Sequence, residues 1–300
     1  MALGYEGLGL IDGTPFLCTG MGVPQQRNRM DSNSAFRGSA DSEIEPTEAI
    51  SPPHTYDWPT NDGTISWDTT SDLLTVIKDW IFDRTAPKEM EFYPCRGARQ
   101  KFLECYWTSI GFEASEGANV TGSCNFIAMN RDEEEIGNEY ITNRLGLLED
   151  NVAGHGPEAL CDIMRALNPA ANNTDPLPFW KGTITCPELL IGTSAEITQW
   201  SVTFTQEITK NFVCTGTSLD PLEPEFLGIG PMVVELQMEL YITAATYNLP
   251  YDISSLIINV GDGAFNFSEV ELQQHDEPLK VGSDLITIAT TYSLYGLTAA

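Results

Sequence analysis

The sequence predicts a mainly β protein: an antiparallel β-sandwich or half-barrel with one or two short packed helices and a long arm. The first observation behind this prediction is the segment from Met232 to Ile242, where apolar and polar residues alternate with the period of a half-buried strand. The second is that several other segments repeat the same alternation. The third is a hydrophobic content of 42% over 300 residues, which is enough for one packed domain spanning residues 1–300.

A β-hairpin begins the chain, because Gly9 to Cys18 contains two short strands joined by Asp12-Gly13, a dipeptide that favours tight turns. Residues 20–64 then change to a composition rich in Pro, Ser, Asn, Asp and Gly. That composition predicts a long loop or arm rather than a core element. The arm carries three basic residues in an acidic chain, namely Arg27, Arg29 and Arg37.

A helix follows the arm and is expected to lie against the sheet. Thr70 or Ser71 can cap its first turn, where Asp72 meets the positive end of the helix dipole. Its apolar residues recur at spacings of three and four, as on one face of an α-helix. They are Leu73, Val76, Ile77, Trp80 and Ile81.

The next predicted elements are two strands, Lys101 to Phe112 and Asn119 to Met129, which form a hairpin. In the second strand, apolar residues at alternate positions face polar residues on the other side. The tip of the hairpin is expected to contain Glu113, Glu116 and Gly117, because a charged stretch with glycine favours a turn.

Residues 131–178 are predicted to form an irregular or helical insertion. It begins with the charged run Arg131 to Glu135, which has the composition of a solvated loop. A short helix is expected from Pro157 to Leu167, with its apolar residues on one side. The polar, proline-rich stretch from Pro169 to Pro178 is the best internal boundary in the chain.

The remainder of the chain is predicted to be almost wholly β. Trp200, Val202 and Phe204 alternate with polar residues and are expected to face the core. The predicted strands are Trp180 to Cys186, Ala195 to Ile208, Met232 to Ile242, Ser255 to Val260, Ala264 to Leu272 and Asp284 to Tyr295.

Composition and motifs argue against several functional classes. A net charge of −28 and an isoelectric point near 4.1 disfavour a protein that grips nucleic acid. Seven cysteines without a C-x-x-C pair, and three scattered histidines, favour neither a disulfide framework nor a metal site. No phosphate-binding loop, signal peptide or membrane span is recognisable, so we expect no cofactor and folding in a cytoplasm.

Paired carboxylates leave one enzymatic alternative open. A β-sandwich glycosidase needs only two carboxyl groups facing a sugar cleft. Glu235 with Glu239, or Glu269 with Glu271, would lie on one strand face. With 43 acidic residues such pairs arise by chance, and the chain is therefore expected not to be an enzyme. The run from Asp132 to Glu135 could gather a divalent cation but is more typical of a solvated loop.

The order of elements resembles that of the tail tube, or major tail, proteins of long-tailed viruses. The resemblance is carried by the hairpin from Phe102 to Met129, the strand from Glu196 to Thr205, the strand from Gly230 to Leu240 and the closing strand from Leu285 to Tyr295. It implies a β-sandwich or half-barrel subunit with a packed helix. In that family, subunits assemble six to a ring, or three to a ring when duplicated, and the rings stack into a tube.

The resemblance implies a structural virion protein located in the tail and assembled in the host cytoplasm. Its expected partners are its own copies, a tape-measure protein, and tail terminator and baseplate proteins, while DNA passes through without specific binding. An acidic bore would keep DNA off the wall. The candidate bore residues are Glu235, Glu239, Glu269 and Glu271, and Arg27, Arg29 and Arg37 are the candidate inter-ring contacts. The alternatives are a carbohydrate-binding or glycoside-hydrolysing protein and another virion component.

Overall fold

The computed structural model describes residues 8–22, 62–93, 98–135, 175–191, 195–211, 226–242, 249–276 and 286–299. These ranges contain one α-helix, two short 3-10 helices at Phe179–Lys181 and Pro187–Leu189, and fifteen strands. The elements are β1 Leu8–Ile11, β2 Thr14–Gly22, β3 Asp62–Asp68, α1 Ser71–Phe82, β4 Lys88–Tyr93, β5 Ala98–Ser115, β6 Thr121–Glu135, β7 Gly182–Thr185, β8 Ala195–Asn211, β9 Phe226–Ile242, β10 Asp252–Ile253, β11 Leu256–Val260, β12 Gly263–Phe267, β13 Glu269–Asp276, β14 Ile286–Tyr295 and β15 Thr298–Ala299.

The strands form two antiparallel sheets, which confirms the predicted mainly β fold. The large sheet has the order β10-β13-β14-β9-β8-β5-β4-β1-β2-β3-β6, and the small sheet has the order β15-β12-β11-β7. Because β5 also pairs with β6, the six strands β5-β4-β1-β2-β3-β6 close into a complete barrel. Closure removes the open edges that these strands would otherwise expose.

Strand β5 belongs to both the barrel and the open part of the large sheet. Along one edge it pairs with β6 over nearly its whole length. Along the other edge, Gln100 to Cys105 pair with β4, and Ser109 to Ser115 pair with β8. An 18-residue strand is long enough to serve two neighbours in succession. The barrel therefore continues directly into the extension β8-β9-β14-β13-β10.

Aromatic rings fill the barrel and take up the space that three glycines leave. Contacts with centroid separations of 5.3–6.4 Å link Phe16, Trp67, Phe92, Phe102 and Phe126. Three aromatic residues each stand opposite a glycine on the neighbouring strand, in the pairs Gly9–Phe16, Gly63–Phe126 and Gly122–Trp67. A Cβ atom on any of these glycines would lie within 2.5 Å of the ring. The glycines are thus required by the close approach of the rings.

The small sheet and α1 cover the core side of the open extension. Phe265 of β12 contacts the rings of Phe82, Phe112 and Phe204 at centroid distances of 5.2–6.2 Å. The helix begins as predicted, with the Thr70 hydroxyl accepting from the backbone N–H of Leu73 at 3.3 Å. Its five predicted apolar residues are buried or packed against the core. Within the described residues, no helix is both long enough and apolar enough to cross a membrane.

Two predicted loops are partly strands. The run Arg131 to Glu135 was expected to be loop-like, but β6 continues through it to Glu135. In register, Asp132 stands opposite Lys101 and Glu134 stands opposite Arg99 of β5. The predicted arm is also shorter than 20–64, because β2 includes residues 20–22 and β3 includes residues 62–64.

Two other boundaries also differ from the prediction. The segment Ala264 to Leu272 is two strands, since the chain leaves the small sheet after Phe267 and enters the large sheet at Glu269. The predicted strand from Trp180 begins as a 3-10 helix and becomes extended only at Gly182. The end of the predicted boundary at 169–178 is packed, because the Leu177 side chain is buried.

Strands β3, β4, β10 and β15 were not predicted. β3 lies at the end of the polar arm, and β4 is only six residues long. The interior of the arm with its arginines, and most of the insertion with its expected helix from Pro157 to Leu167, lie outside the described residues. Predictions about them stay predictions.

Replacement of Gly122 by alanine should destabilise the barrel. The added Cβ would lie 2.4 Å from the buried Trp67 indole, and such overpacking costs about 1–3 kcal/mol. Urea unfolding of Gly122→Ala should show this loss. Gly22→Ala is the matched control, because a Cβ at Gly22 meets no atom within 4 Å. Equal stabilities for the two variants would contradict the packing argument.

Candidate functional site

The large sheet has one continuous, mainly polar face opposite the core, here called the polar wall. Its side chains come from alternate positions of β10, β13, β14, β9, β8, β5, β6 and β3, and they point away from the buried residues of the same strands. The exposed side chains of Val233, Tyr241 and Tyr295 lie on the same face. The polar wall consists of Asp252, Glu269, Glu271, Gln274, Ala289, Thr291, Ser293, Glu235, Gln237, Glu239, Gln199, Ser201, Thr203, Thr205, Ser109, Gly111, Glu113, Ser115, Thr121, Ser123, Asn125, Thr64, Ser66 and Asp68.

Strand register aligns these residues in rows that run across the sheet. One row passes through eight strands, and each member is the register partner of the next. At an inter-strand spacing of about 4.8 Å, this row is roughly 34 Å long. Its members are Asp252, Glu271, Ser293, Glu235, Thr203, Gly111, Ser123 and Ser66.

Hydrogen bonds between neighbouring strands hold part of the wall in place. The Asn125 side chain donates to the Ser109 hydroxyl at 2.7 Å and accepts from the Thr64 hydroxyl at 2.6 Å. The Thr121 hydroxyl donates to Glu113 at 3.0 Å. These contacts join β3, β6 and β5 through their polar side chains, so the wall is an ordered surface rather than a set of independent exposed groups.

The wall contains carboxylates but neither lysine nor arginine. All four acidic residues predicted from the sequence lie on it: Glu235, Glu269 and Glu271 are exposed, and Glu239 is partly exposed. Ser293 pairs with Glu235 on one side and Glu271 on the other, so a hydroxyl separates the two acids. This spacing reduces the repulsion that directly opposed like charges produce.

Basic side chains with described ion pairs lie elsewhere, around β1 and β4. Lys88 binds Asp12 at 2.8 Å, and Lys101 binds Glu89 at 2.8 Å. These pairs neutralise charge near the opening hairpin and leave the wall without basic groups. Arg27, Arg29 and Arg37 fall outside the described residues, so the structure does not test their predicted role.

A cavity of about 410 Å³ lies on the wall, between residues of β2, β3, β6, β5 and β8. Hydroxyl groups dominate its lining, and Glu113 is its one carboxylate. Phe112 contributes to the lining, but its side chain is buried in the core. Neither of the two glutamate pairs considered for glycoside hydrolysis lines this cavity. The geometry of two carboxyl groups facing across a sugar cleft is therefore absent from it.

Cysteine and metal chemistry receive no support from the described residues. Burial raises the pKa of the Cys105 and Cys124 thiols, and raises that of Cys186 to about 11. A reactive cysteine needs the opposite shift, since the thiolate is the nucleophile and the metal ligand. Within the described ranges, no group of three or more His, Cys, Asp or Glu residues could hold a metal ion.

Sequence reasoning identified the wall on β6, β8, β9 and β13 but missed its extension onto β3. The signal was present, because Thr64, Ser66 and Asp68 alternate with the buried Ile65 and Trp67. It was hidden by the neighbouring polar arm, whose composition continues into the strand. The continuous rows were not predictable, because they depend on register between strands that lie far apart in the chain.

No protein-family profile matches the sequence, and no curated protein matches it. Among solved structures, the chain is similar to Hcp1 from Flavobacterium johnsoniae, with a TM-score of 0.31 and 11% sequence identity. The aligned region covers 43% of this chain and 94% of that protein. The similarity is therefore partial and concerns less than half of the chain.

Asp68, at the barrel end of the wall, should destabilise the protein when ionised. Burial raises the pKa of its carboxyl above the ordinary value, so the folded protein binds this proton at a higher pH than the unfolded chain does. The penalty is present at neutral pH and disappears as the pH falls through the folded-state pKa. Asp68→Asn should therefore melt at a higher temperature than the parent protein at pH 8, by an amount that narrows as the pH is lowered to about 4, the ordinary range of an aspartate carboxyl.

The exposed Glu116 provides the control for this experiment, because Glu116→Gln removes one negative charge away from the wall. It should change the melting temperature little at either pH. A rise for Asp68→Asn that persists unchanged at about pH 4 would show that burial of the charge is not its cause.

Proposed function

We propose that this chain is a structural subunit that self-associates into stacked rings and forms the tail tube of a long-tailed virus, with the polar wall facing the bore. The observation that carries the proposal is the wall itself: an ordered face that crosses eight strands, contains no basic residue and backs onto a continuous core. On this proposal the protein is located in the virion tail and has no active site or cofactor. The resemblance of its element order to tail tube proteins supports the same function.

The chemistry of the wall suits the passage of a polyanion. Each lysine or arginine on a bore would bind phosphates with release of counterions, and would slow the DNA. Carboxylates repel phosphates over about 8–10 Å at moderate salt, and hydroxyl groups offer only weak, exchangeable hydrogen bonds. A surface of this composition lets DNA pass without a specific contact. Solvation of an outer surface would explain the charge, but not its separation from the basic residues.

Assembly would join subunits through strand edges of the large sheet, because an unpaired edge readily accepts another strand. Six copies per ring is the arrangement that the resemblance implies, and three is its variant for duplicated subunits. The arm with Arg27, Arg29 and Arg37 would then reach an adjacent acidic ring. Tape-measure, tail terminator and baseplate proteins would be the further partners.

A carbohydrate-binding or glycoside-hydrolysing protein is the alternative, and the hydroxyl-lined cavity is the observation that favours it. Sugar sites commonly add exposed aromatic faces to such polar groups. The cavity offers none, since its one aromatic residue is buried. Assembly and saccharide binding therefore distinguish the two functions.

Purified full-length protein should form rings or rods in negative-stain electron micrographs at high concentration. Mass photometry of the same sample should show a discrete oligomer, six-fold or three-fold in subunit number. Glycan-array binding provides the comparison with the alternative function. A protein that stays monomeric at all concentrations and binds a saccharide would refute the tube.

A reversal of charge on the wall should make assembled protein retain DNA. The double variant Glu235→Lys/Glu271→Lys places two ammonium groups on one row of the wall, where the proposal puts the bore. Assembled rings of this variant should retard short duplex DNA at low salt, and the retention should weaken steeply with added salt. Rings of the parent protein should not retard it.

The matched control is Glu116→Lys/Asp79→Lys, which changes net charge equally at two exposed positions off the wall. Short DNA that enters the bore should be protected from nuclease only by the wall variant. If both double variants bind DNA equally and leave it equally open to nuclease, the wall does not line a bore.

A further inference from the structure

The cavity on the polar wall surrounds Gly111 of β5. Gly111 stands in register between Ser123 of β6 and Thr203 of β8. A Cβ atom on Gly111 would lie 3.2 Å from the Ser123 Oγ and 3.8 Å from the Thr203 Oγ1. Because glycine has no side chain, the two hydroxyl groups border a recess in the surface of the sheet. The recess belongs to the cavity of about 410 Å³, which is large enough for a small organic molecule.

Glu113 is the charged group of the cavity lining, and the protein engages one of its two carboxylate oxygens. It lies two positions after Gly111, so both residues are on the same face of β5. The Thr121 hydroxyl donates to Oε1 at 3.0 Å. Among the contacts of the described residues, no hydrogen bond engages Oε2. An ionised carboxylate only accepts hydrogen bonds. Oε2 therefore suits a donor that comes from outside the chain.

Hydrogen bonds within the protein use the protons of several lining hydroxyl groups. The Thr19 hydroxyl donates to the Ser66 Oγ at 3.2 Å, and the Ser66 hydroxyl donates to the Gly20 carbonyl at 3.5 Å. The Thr121 proton goes to Glu113. A hydroxyl group has one proton but two lone pairs, so these three groups can still accept a hydrogen bond. The described lining therefore offers more acceptors than donors, and it favours a ligand with several N–H groups.

Further carboxylates flank the cavity on both sides. Asp68 of β3 is the register partner of Thr121, and Glu235 of β9 is the register partner of Thr203. Each of these acids is one strand away from a lining residue, at a spacing of about 4.8 Å. The wall residues that the structure describes include no lysine or arginine to offset this charge. The negative potential of such a surface attracts cations to the cavity.

We propose that the cavity binds the primary ammonium group of a small aliphatic amine, such as a linear polyamine. The three N–H donors of an ammonium match the Glu113 Oε2 and the hydroxyl groups of Ser123 and Thr203. An ammonium is a compact charge that a single carboxylate oxygen can bind, whereas a guanidinium is matched best by both oxygens. A metal ion is a poorer ligand, because no group of three or more His, Cys, Asp or Glu occurs within the described ranges.

This binding site goes beyond the proposed function and does not depend on it. The lining residues that the structure describes all belong to one chain, so a monomer would bind the amine as well as an assembled subunit. Within a tube, the bound amine would neutralise Glu113 without a basic side chain on the wall. Unlike a lysine, it could leave with the phosphates of passing DNA. Amine binding and ring assembly are therefore separate measurements.

Titration calorimetry of dilute full-length protein with putrescine, a four-carbon diamine, tests the site at low salt. One saturable site per chain is expected. The fully N-methylated form of putrescine keeps both positive charges but has no N–H donor, and it should bind much more weakly. Butanediol keeps the carbon chain without the charge and should not bind. The three probes thus separate hydrogen bonding by an ammonium from charge alone and from chain length alone.

Two substitutions in the lining test the assigned contacts. Glu113→Gln should weaken putrescine binding about tenfold, through loss of one charge-assisted hydrogen bond. Glu116→Gln is its matched control, because it removes the same charge at an exposed position outside the lining. Thr203→Val keeps the shape of an exposed side chain but removes its hydroxyl, and it should weaken binding about threefold. Thr205→Val is the control for that change, since Thr205 is exposed on the same strand outside the lining.

Equal affinities of each lining variant and its control would overturn the proposal, because the amine would then be a counterion spread over an acidic surface. Equal binding of putrescine and its methylated form would overturn it as well, since N–H donors would have no part. A parent protein that binds a saccharide but not putrescine would overturn it in favour of the carbohydrate alternative. A protein that binds putrescine as predicted but forms no rings would refute the proposed function and support the amine site.

Discussion

Each strand of the large sheet buries one of its two faces in the core. The register between neighbouring strands determines which residues of the next strand are buried on the same face. A slip of one residue would turn the buried side chains of a strand to the solvent. β-Bulges restore the alternation of buried and exposed side chains at points where the spacing along the strand would otherwise break it. Trp107 and Ile110 are three residues apart, yet both are buried, because a bulge between Trp107 and Ser109 absorbs one residue. The polar wall is the opposite face of the same strands, which the register keeps continuous in the same way.

The closed barrel makes this long sheet possible. It pairs both edges of its strands and gives the first half of β5 a fixed place. The second half of β5 then starts the open extension, and the small sheet and α1 cover the core side of that extension. The extension has polar groups on one side and aromatic groups on the other. Its outward side therefore faces away from the core.

Basic and acidic residues are not evenly mixed over the surface. Lys88 and Lys101 form ion pairs near β1 and β4, while the wall combines carboxylates with hydroxyl groups.

The sequence by itself determined the sidedness of individual strands, the helix with its Thr70 cap, and the acidic residues of β9 and β13. These features depend on residue spacing within one segment, which alternation and capping chemistry reveal. It did not reveal that the run Arg131 to Glu135 is a strand, because the pairing of that run with β5 is a long-range property. Nor did it show that the chain changes sheets after Phe267. Only the tertiary structure decided the barrel closure and the rows of the wall, since each requires register between segments that are distant in the chain.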